Sequence, residues 1–257
     1  MKNTILSEKD HQLLENTFLA YGRIVGISAL MTIFTQEYSE DAAHNRINFL
    51  AKAGWLKRIK RGLYLVIDSL TSRAQTDISM LSIANALVED SYVSLAHALN
   101  HYQMFDQYST TIVSMSKKES KRYLFDNHTF KYVKVKSDLY FGFTEIGIDG
   151  QKVRVAEAEK ALLDYLYVDN SFSTASLVFE KLRDHHRYLD IYKLQKYSLV
   201  FGATIIRKIG FLLDQLQLDS ILLHEHVKQN RSFARFTIDS KLFNAKWRIY
   251  YDDRIIG

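Results

Sequence analysis

Apolar residues recur at helical spacing in two stretches at the start of the chain. The spacing predicts a first helix over residues 8–20, and Ser7 before it is a favoured N-cap residue. After a break at Gly22, the apolar run at residues 24–34 predicts a second, shorter helix.

A third predicted helix has the clearest start and end. Ser39 is a favoured N-cap residue, and Gly54 favours the left-handed conformation that ends many helices. The apolar residues between them fall on one face of the helix. The opposite, polar face comprises His44, Asn45, Asn48 and Lys52.

Two short apolar runs follow the third helix, at residues 55–59 and 63–66. Gly62 lies in the tight turn between them, where a positive φ is favoured. Three helices followed by a two-stranded hairpin are typical of a winged helix-turn-helix. We therefore expect a winged-helix DNA-binding domain over residues 1–70.

The polar stretch at residues 68–77 predicts a domain boundary, and helices and strands alternate beyond it. Helices are predicted at residues 79–88, 95–102, 157–167, 173–185, 190–200 and 203–218. Strands are predicted at residues 111–114, 130–136, 139–146, 153–155, 234–238 and 247–251. Residues 71–257 are therefore expected to form a larger mixed α/β domain, and the fold class is α+β.

The third helix and the hairpin concentrate positive charge. No carboxylate lies between Asp41 and Asp68, whereas this interval contains Arg46, Lys52, Lys57, Arg58, Lys60 and Arg61. Cations on a protruding hairpin reach phosphates beside a DNA groove, and outward Asn or Lys side chains on the helix can pair with base edges. The predicted contacts with double-stranded DNA are Asn45, Asn48, Lys52, Lys57, Arg58, Lys60 and Arg61.

The same pattern has a simpler explanation. Solvated helices commonly show Asn and Lys outward, hairpin tips are often basic, and some winged helices bind proteins instead. Glu40 and Asp41 also lie near the start of the third helix, where recognition helices usually meet bases. Because these carboxylates repel phosphate, any DNA contact is expected to shift toward residues 45–52 and the hairpin.

Composition excludes some functions and leaves others open. The chain has 257 residues, a formal net charge of +5 and no cysteine, so disulfides and thiolate chemistry are excluded. The positive balance favours phosphate as a partner. No apolar signal segment or membrane-length run occurs, so a cytoplasmic protein without a membrane partner is expected.

Candidate catalytic groups are isolated. The Asp184-His185-His186 triplet lacks the further acidic clusters of a metal phosphoesterase, and His224-Glu225-His226 lacks a third ligand. Glu119-Ser120-Lys121 lacks the preceding acidic strand residue of a nuclease site. Neither a glycine-rich phosphate loop nor a Gly-x-Ser-x-Gly elbow occurs. We therefore expect no enzyme activity and no metal or cofactor.

Four groups of residues occur in order along nearly the whole chain. They are Gly54-Trp55-Leu56 with Arg58-Ile59-Lys60-Arg61-Gly62-Leu63-Tyr64; Tyr92-Val93-Ser94-Leu95; Val153-Arg154-Val155-Ala156 followed by Glu159-Lys160-Ala161-Leu162-Leu163-Asp164; and Arg207-Lys208-Ile209-Gly210 followed by Trp247. In these motifs the chain resembles the AbiEi antitoxins of bacterial abortive-infection, or type IV toxin–antitoxin, systems.

The resemblance implies a transcriptional regulator of a phage-defence operon. Its winged helix would bind inverted repeats in its own promoter and repress transcription. Its C-terminal domain would counteract a nucleotidyltransferase-like toxin, and the family is not catalytic. Only the wing residues carry over as DNA contacts, because no toxin contact can be assigned from sequence.

Two hypotheses from different classes remain. The favoured one is a DNA-binding antitoxin and autorepressor, and the alternative is a winged-helix-targeted nuclease or another phage-defence enzyme. A nucleotidyltransferase gene beside this one in the same operon would separate them.

Overall fold

The computed structural model describes residues 6–67, 78–107 and 109–256, within which it contains ten α-helices and twelve β-strands. The helices are α1 (Glu8–Tyr21), α2 (Ile27–Phe34), α3 (Glu40–Ala53), α4 (Met80–Leu87), α5 (Leu95–His101), α6 (Ala158–Val168), α7 (Phe172–His185), α8 (Ile191–Phe201), α9 (Ala203–Gln215) and α10 (Ile221–Val227). None of the helices in these ranges is long and apolar enough to cross a lipid bilayer.

The strands of the same ranges form three sheets, so the chain mixes helices and sheets as the sequence predicts. The strands are β1 (Ile24–Gly26), β2 (Leu56–Lys60), β3 (Leu63–Val66), β4 (Ser91–Val93), β5 (Thr111–Ser116), β6 (Lys121–Phe125), β7 (His128–Lys134), β8 (Phe143–Ile148), β9 (Gln151–Ala156), β10 (Ala234–Arg235), β11 (Leu242–Asn244) and β12 (Ile249–Tyr251). The sheet orders are β1-β3-β2, β6-β7-β5-β4-β9-β8 and β10-β12-β11.

The chain divides into two compact units. The first comprises residues 1–89, 123–127 and 146–153, and the second comprises residues 90–122, 128–145 and 154–257. The boundary predicted at residues 68–77 lies outside the described residues.

Three helices of the first unit enclose one apolar core against the hairpin of β2 and β3. Leu30, Phe34 and Leu50 are fully buried in this core, and Trp55 and Val66 join it from the hairpin side. Burial of this apolar surface is the main source of stability for short helices, which are marginal by themselves.

Ser7 and Gly54 cap their helices as predicted, whereas Ser39 precedes α3 without a side-chain capping hydrogen bond. The Ser7 side chain accepts a hydrogen bond from the Asp10 backbone N–H at the start of α1. Gly54 ends α3 with φ 84°, while the N–H groups of Gly54 and Trp55 bond to the carbonyls of Ala51 and Leu50. These two hydrogen bonds form a Schellman motif, which ends α3 and directs the chain into the hairpin.

The second predicted helix is partly wrong. Residues Ile24–Gly26 form β1, and only Ile27–Phe34 is helical. Ile24 and Val25 lie opposite Leu65 and Tyr64 in an antiparallel pair with β3. The pairing with a distant strand outweighs the local helical pattern, as is common for short runs of β-branched residues.

The six-stranded sheet joins segments that are far apart in the chain. β5 runs parallel to β7, with Ser116 opposite Lys134, and antiparallel to β4. β4 runs parallel to β9 through Val93 and Val155. Helix α6 follows β9 directly, and eight of its residues are buried, including charged Lys160.

Besides β1, other short elements escape the sequence prediction, and one residue is misplaced by it. Strands β4, β6 and β11 and helix α10 were not predicted. Trp247 lies in the turn before β12, although a strand was predicted from residue 247 onward. Each of these segments is seven residues or shorter, which is too short for periodicity to separate from loop.

Candidate nucleic-acid interface

The polar face of α3 is exposed to solvent. Asn45, Asn48 and Lys52 are all exposed and lie three and four positions apart, so they share one stripe along the helix. Three amide or ammonium groups in one stripe can donate hydrogen bonds to base edges or phosphates. Glu40 and Asp41, in the first turn of the same helix, are also exposed.

Arg46, on α3, forms an ion pair with Asp10 of α1. Its guanidinium Nε lies 2.6 Å from Oδ1 of Asp10, and a second nitrogen bonds to Oδ2. Burial alone would raise the pKa of Asp10, but the hydrogen bonds from Arg46 and Ser7 hold it below its ordinary value. Arg46 therefore joins α1 to α3, and this fixes the polar stripe of α3 against the core.

The turn of the hairpin is held at the start of α2, where the Gly62 carbonyl accepts a 2.8 Å hydrogen bond from the Ile27 N–H. Leu56 lies opposite Val66 and Lys60 opposite Leu63, with an irregularity of register between Arg58 and Lys60. Gly62 occupies the turn with φ 76°, a conformation that glycine adopts without strain. The shift of register changes the direction of the side chains that follow it in β2.

Two of the four hairpin cations are held by contacts within the first unit. The Lys57 ammonium lies 2.5 Å from Oδ1 of Asp126 and 5.2 Å from the centre of the Phe125 ring. The Lys60 ammonium donates a hydrogen bond of 2.6 Å to the carbonyl of Leu87. These contacts fix the hairpin relative to α4 and residues 123–127, and they compete with any external phosphate for the two lysines.

The other two hairpin cations, Arg58 and Arg61, are exposed, and neither forms an ion pair within the described part of the chain. The structure thus divides the seven predicted DNA contacts into two groups. Asn45, Asn48, Lys52, Arg58 and Arg61 are presented to solvent, whereas Lys57 and Lys60 are engaged internally. This division is not visible in the sequence, because the partners lie 27 or more positions away.

A buried polar cluster lies in the second unit. The Lys160 ammonium bonds to Asp164 and donates a 2.6 Å hydrogen bond to the Tyr92 hydroxyl, and the Ser94 hydroxyl donates to Asp164 at 2.8 Å. All four side chains are at most 1% exposed. Burial lowers the pKa of Lys160 and raises that of Asp164. The cluster therefore ties β4 to α6 and is closed to a ligand from solvent.

Helix α9 holds a second buried arrangement. A Cβ on Gly210 would lie 2.1 Å from the ring of Trp247, so only glycine leaves room for the indole. The indole N–H donates a 2.7 Å hydrogen bond to Asp214. Arg207 donates to the carbonyls of Asn230 and Ser232. The motifs that carry the family resemblance in the second unit are thus packing and hydrogen-bonding residues.

The catalytic candidates of the sequence lie apart on the surface. Asp184 pairs with Arg183 at 2.9 Å at the end of α7, and Glu225 pairs with Lys228 on or beside α10. Glu119 lies in the loop before β6 and pairs with Lys121 at 3.3 Å. Among the residues that the structure describes, no group of three or more His, Cys, Asp or Glu could hold a metal ion.

Comparisons with known proteins define the fold alone. No family model matches the chain, and no curated protein matches it. The chain is similar to the crystal structure of the RV2827C protein from Mycobacterium tuberculosis, with a TM-score of 0.63 over 96% of this chain and 92% of that one. Sequence identity is 12%, so the likeness lies in the fold of a mixed helix-and-sheet protein.

Proposed function

We propose that the protein is a DNA-binding antitoxin that represses its own type IV toxin–antitoxin operon. A winged helix over residues 1–70, within the first unit, binds inverted repeats in the promoter. The domain over residues 71–257 counteracts a nucleotidyltransferase-like toxin. The protein has no catalytic step of its own in this proposal.

The arrangement of the first unit supports a winged helix. Helices α1, α2 and α3 pack on one core, and the hairpin of β2 and β3 follows α3 without a linker. In winged helix-turn-helix proteins the last helix of the three enters the major groove and the hairpin lies beside it. In this arrangement α3 is the recognition helix, and the turn at Arg61-Gly62 is the wing.

One observation carries the DNA-binding proposal. The exposed polar stripe of α3 and the exposed arginines of the wing belong to the same carboxylate-free interval, residues 42–67. Such a surface matches the two tasks of a DNA-binding protein, because asparagines can pair with adenine while arginines contact phosphates. The surface charge also gives the salt dependence by which phosphate contacts are recognised.

DNA binding is tested by fluorescence anisotropy with two labelled duplexes, the operon's own promoter and a scrambled sequence of equal composition. We expect tighter binding to the promoter at every salt concentration, because specific sites exceed non-specific ones by about 10³-fold or more. Equal affinity for the two duplexes would contradict autorepression. Absence of binding to both would contradict DNA binding altogether.

The antitoxin role is tested in cells that express the toxin from an unrelated promoter, so that repression cannot imitate protection. The full chain should restore growth. The variant Arg58→Gln with Arg61→Gln should protect equally well while losing promoter repression, because its changes are confined to the wing. Loss of protection in this folded variant would contradict a division of the two tasks between the units.

The alternative, a winged-helix-targeted nuclease, is tested with the same purified protein. Supercoiled plasmid and labelled RNA should stay intact in Mg²⁺ or Mn²⁺. Metal-dependent cleavage that disappears on Asp184→Ala with His186→Ala would replace the proposal with the enzyme.

A further inference from the structure

A second concentration of positive charge lies in the segment 117–136. This segment contains seven Lys and Arg residues against Glu119 and Asp126, an excess of five positive charges. The formal net charge of the whole chain is +5, so the segment alone carries as large an excess as the entire protein.

The fold places six of these cations on neighbouring segments of the second unit. Ser120 accepts a 3.0 Å hydrogen bond from the Lys134 backbone N–H, and Val135 donates a 2.9 Å bond to the carbonyl of Ser116. The loop between β5 and β6 is thereby held against the end of β7. The basic cluster that results consists of Lys117, Lys118, Lys121, Arg122, Lys134 and Lys136, all of them exposed.

Internal carboxylates offset only part of this charge. Lys118 lies 3.5 Å from Asp90, and Lys121 lies 3.3 Å from Glu119. Both pairs are on the surface, where water screens them and their attraction is weak. The basic cluster therefore keeps a positive excess that can attract an anion carrying several charges.

We propose that the basic cluster is a second phosphate-contacting surface, which binds the backbone of double-stranded DNA. Lysine is depleted from the centres of protein–protein interfaces, whereas it is a main contact to nucleic-acid phosphates. Exposed lysines and an arginine contact phosphates and do not recognise base edges. This surface therefore adds affinity for DNA but no sequence preference. The choice of duplex DNA as the polyanion rests on the proposed function, whereas the argument for phosphate rests on charge alone.

The test compares two variants of the full chain with equal reduction of charge. In the cluster variant, Arg122, Lys134 and Lys136 are changed to Gln. In the matched control, Arg187, Lys196 and Lys241 are changed to Gln, and these three are exposed elsewhere in the second unit. Both variants remove one arginine and two lysines, so a difference between them reports position and not net charge.

Affinity for scrambled duplex DNA is measured by anisotropy over a range of salt concentrations. The cluster variant should lower the slope of log affinity against log salt by about 0.9 for each phosphate that it no longer neutralises, and the control should leave the slope unchanged. Equal slopes for the cluster variant and wild type, or equal changes in both variants, would overturn the proposal. If the cluster variant binds polyglutamate more weakly but DNA equally well, the proposal is also overturned, because this result would indicate an acidic protein partner.

The outcome is separable from that of the proposed function. If promoter and scrambled DNA bind equally, autorepression fails, while a reduced slope in the cluster variant still supports the second surface. If Arg58→Gln with Arg61→Gln lowers affinity but the cluster variant does not, the wing is supported and the second surface is rejected. Circular dichroism of every variant must match that of wild type before its slope is used.

Discussion

The cations of the hairpin and α3 and the cations of α6 and α9 lie in opposite environments. In the first unit, Arg58, Arg61 and Lys52 are exposed on the hairpin and on α3. In the second unit, Lys160, Arg207 and Lys208 are at most 1% exposed. The buried cations have internal partners: Lys208 donates to Asn170 at 2.7 Å, and burial lowers its pKa to about 8.

This difference distinguishes cations that stabilise the fold from cations that can contact a partner. A buried cation with satisfied hydrogen bonds fixes neighbouring elements and cannot reach a partner, whereas an exposed cation without a carboxylate nearby can. The motifs around Lys160 and Gly210 therefore indicate how the second unit packs. They do not indicate which surface would meet a toxin.

The largest effect is expected from removing the acid of the buried cluster. Asp164→Ala leaves Lys160 buried with its charge uncompensated, so we expect a decrease of about 3–5 kcal/mol in the free energy of unfolding. The double variant Lys160→Met with Asp164→Leu should be less destabilised, since no charge is left buried. Urea unfolding measures both, and a decrease below about 1 kcal/mol in Asp164→Ala would mean that the cluster is solvated.

A second change tests the packing of α9. Gly210→Ala places a methyl group 2.1 Å from the Trp247 ring, a distance that requires the helix or the indole to move. We expect a destabilisation of about 3 kcal/mol, at the upper end of the usual cost of overpacking. Gly147→Ala is the matched control, because no atom lies within 4 Å of its added Cβ. Thermal unfolding of the two variants should differ clearly, and equal melting temperatures would contradict the contact.

A third change concerns the ion pair between Asp10 and Arg46, the partly buried pair of the first unit. Because the pKa of Asp10 lies below its ordinary value of 3.8, folding favours the ionised carboxylate. This stability is present above about pH 4 and is lost as the pH falls through the lowered pKa. Asp10→Asn should cost about 1.5–3 kcal/mol at neutral pH and progressively less in acid.

Calorimetric melting temperatures from neutral pH down to about pH 3 measure that dependence. The curves for wild type and Asp10→Asn should converge as the pH falls. Parallel curves would show that ionisation of Asp10 does not stabilise the fold, and Arg46 would then be available to a partner.

A fourth change concerns the exposed polar stripe of the first unit. Asn48→Ala should reduce discrimination between promoter and scrambled DNA by about 1–3 kcal/mol while leaving the salt slope nearly unchanged, because asparagine carries no charge. Asn45→Ala is expected to act in the same direction. Equal weakening on both duplexes would assign these side chains to backbone contacts instead.

Much of the first unit could be predicted because its signals are local. Ser7, Gly54 and Gly62 mark a helix start, a helix end and a turn, and each is found where the sequence predicts it. Strand β1 could not be predicted, because Ile24 and Val25 become a strand only by pairing with β3. The same limit applies to β4, which is three residues long and lies between β5 and β9.

The residues of the candidate site could be predicted from the sequence. Which of its cations are exposed and which have internal partners could not. Sequence shows four cations in the hairpin segment. It does not show that Lys57 pairs with Asp126 or that Lys60 donates a hydrogen bond to the Leu87 carbonyl, since those contacts depend on the tertiary fold. The basic cluster of the second unit could have been found by counting charge along the chain, whereas its assembly around Ser116 and Ser120 could not.

DNA binding through the exposed face of the first unit is tested most directly by comparing the two pairs of hairpin cations. Arg58→Gln with Arg61→Gln and Lys57→Gln with Lys60→Gln remove the same charge from the same hairpin. We expect the arginine variant to lower the salt slope for promoter DNA by up to about 1.8, the equivalent of two phosphate contacts, and the lysine variant to lower it far less. Equal reductions in two folded variants, or an unchanged slope in the arginine variant, would contradict DNA binding through this face.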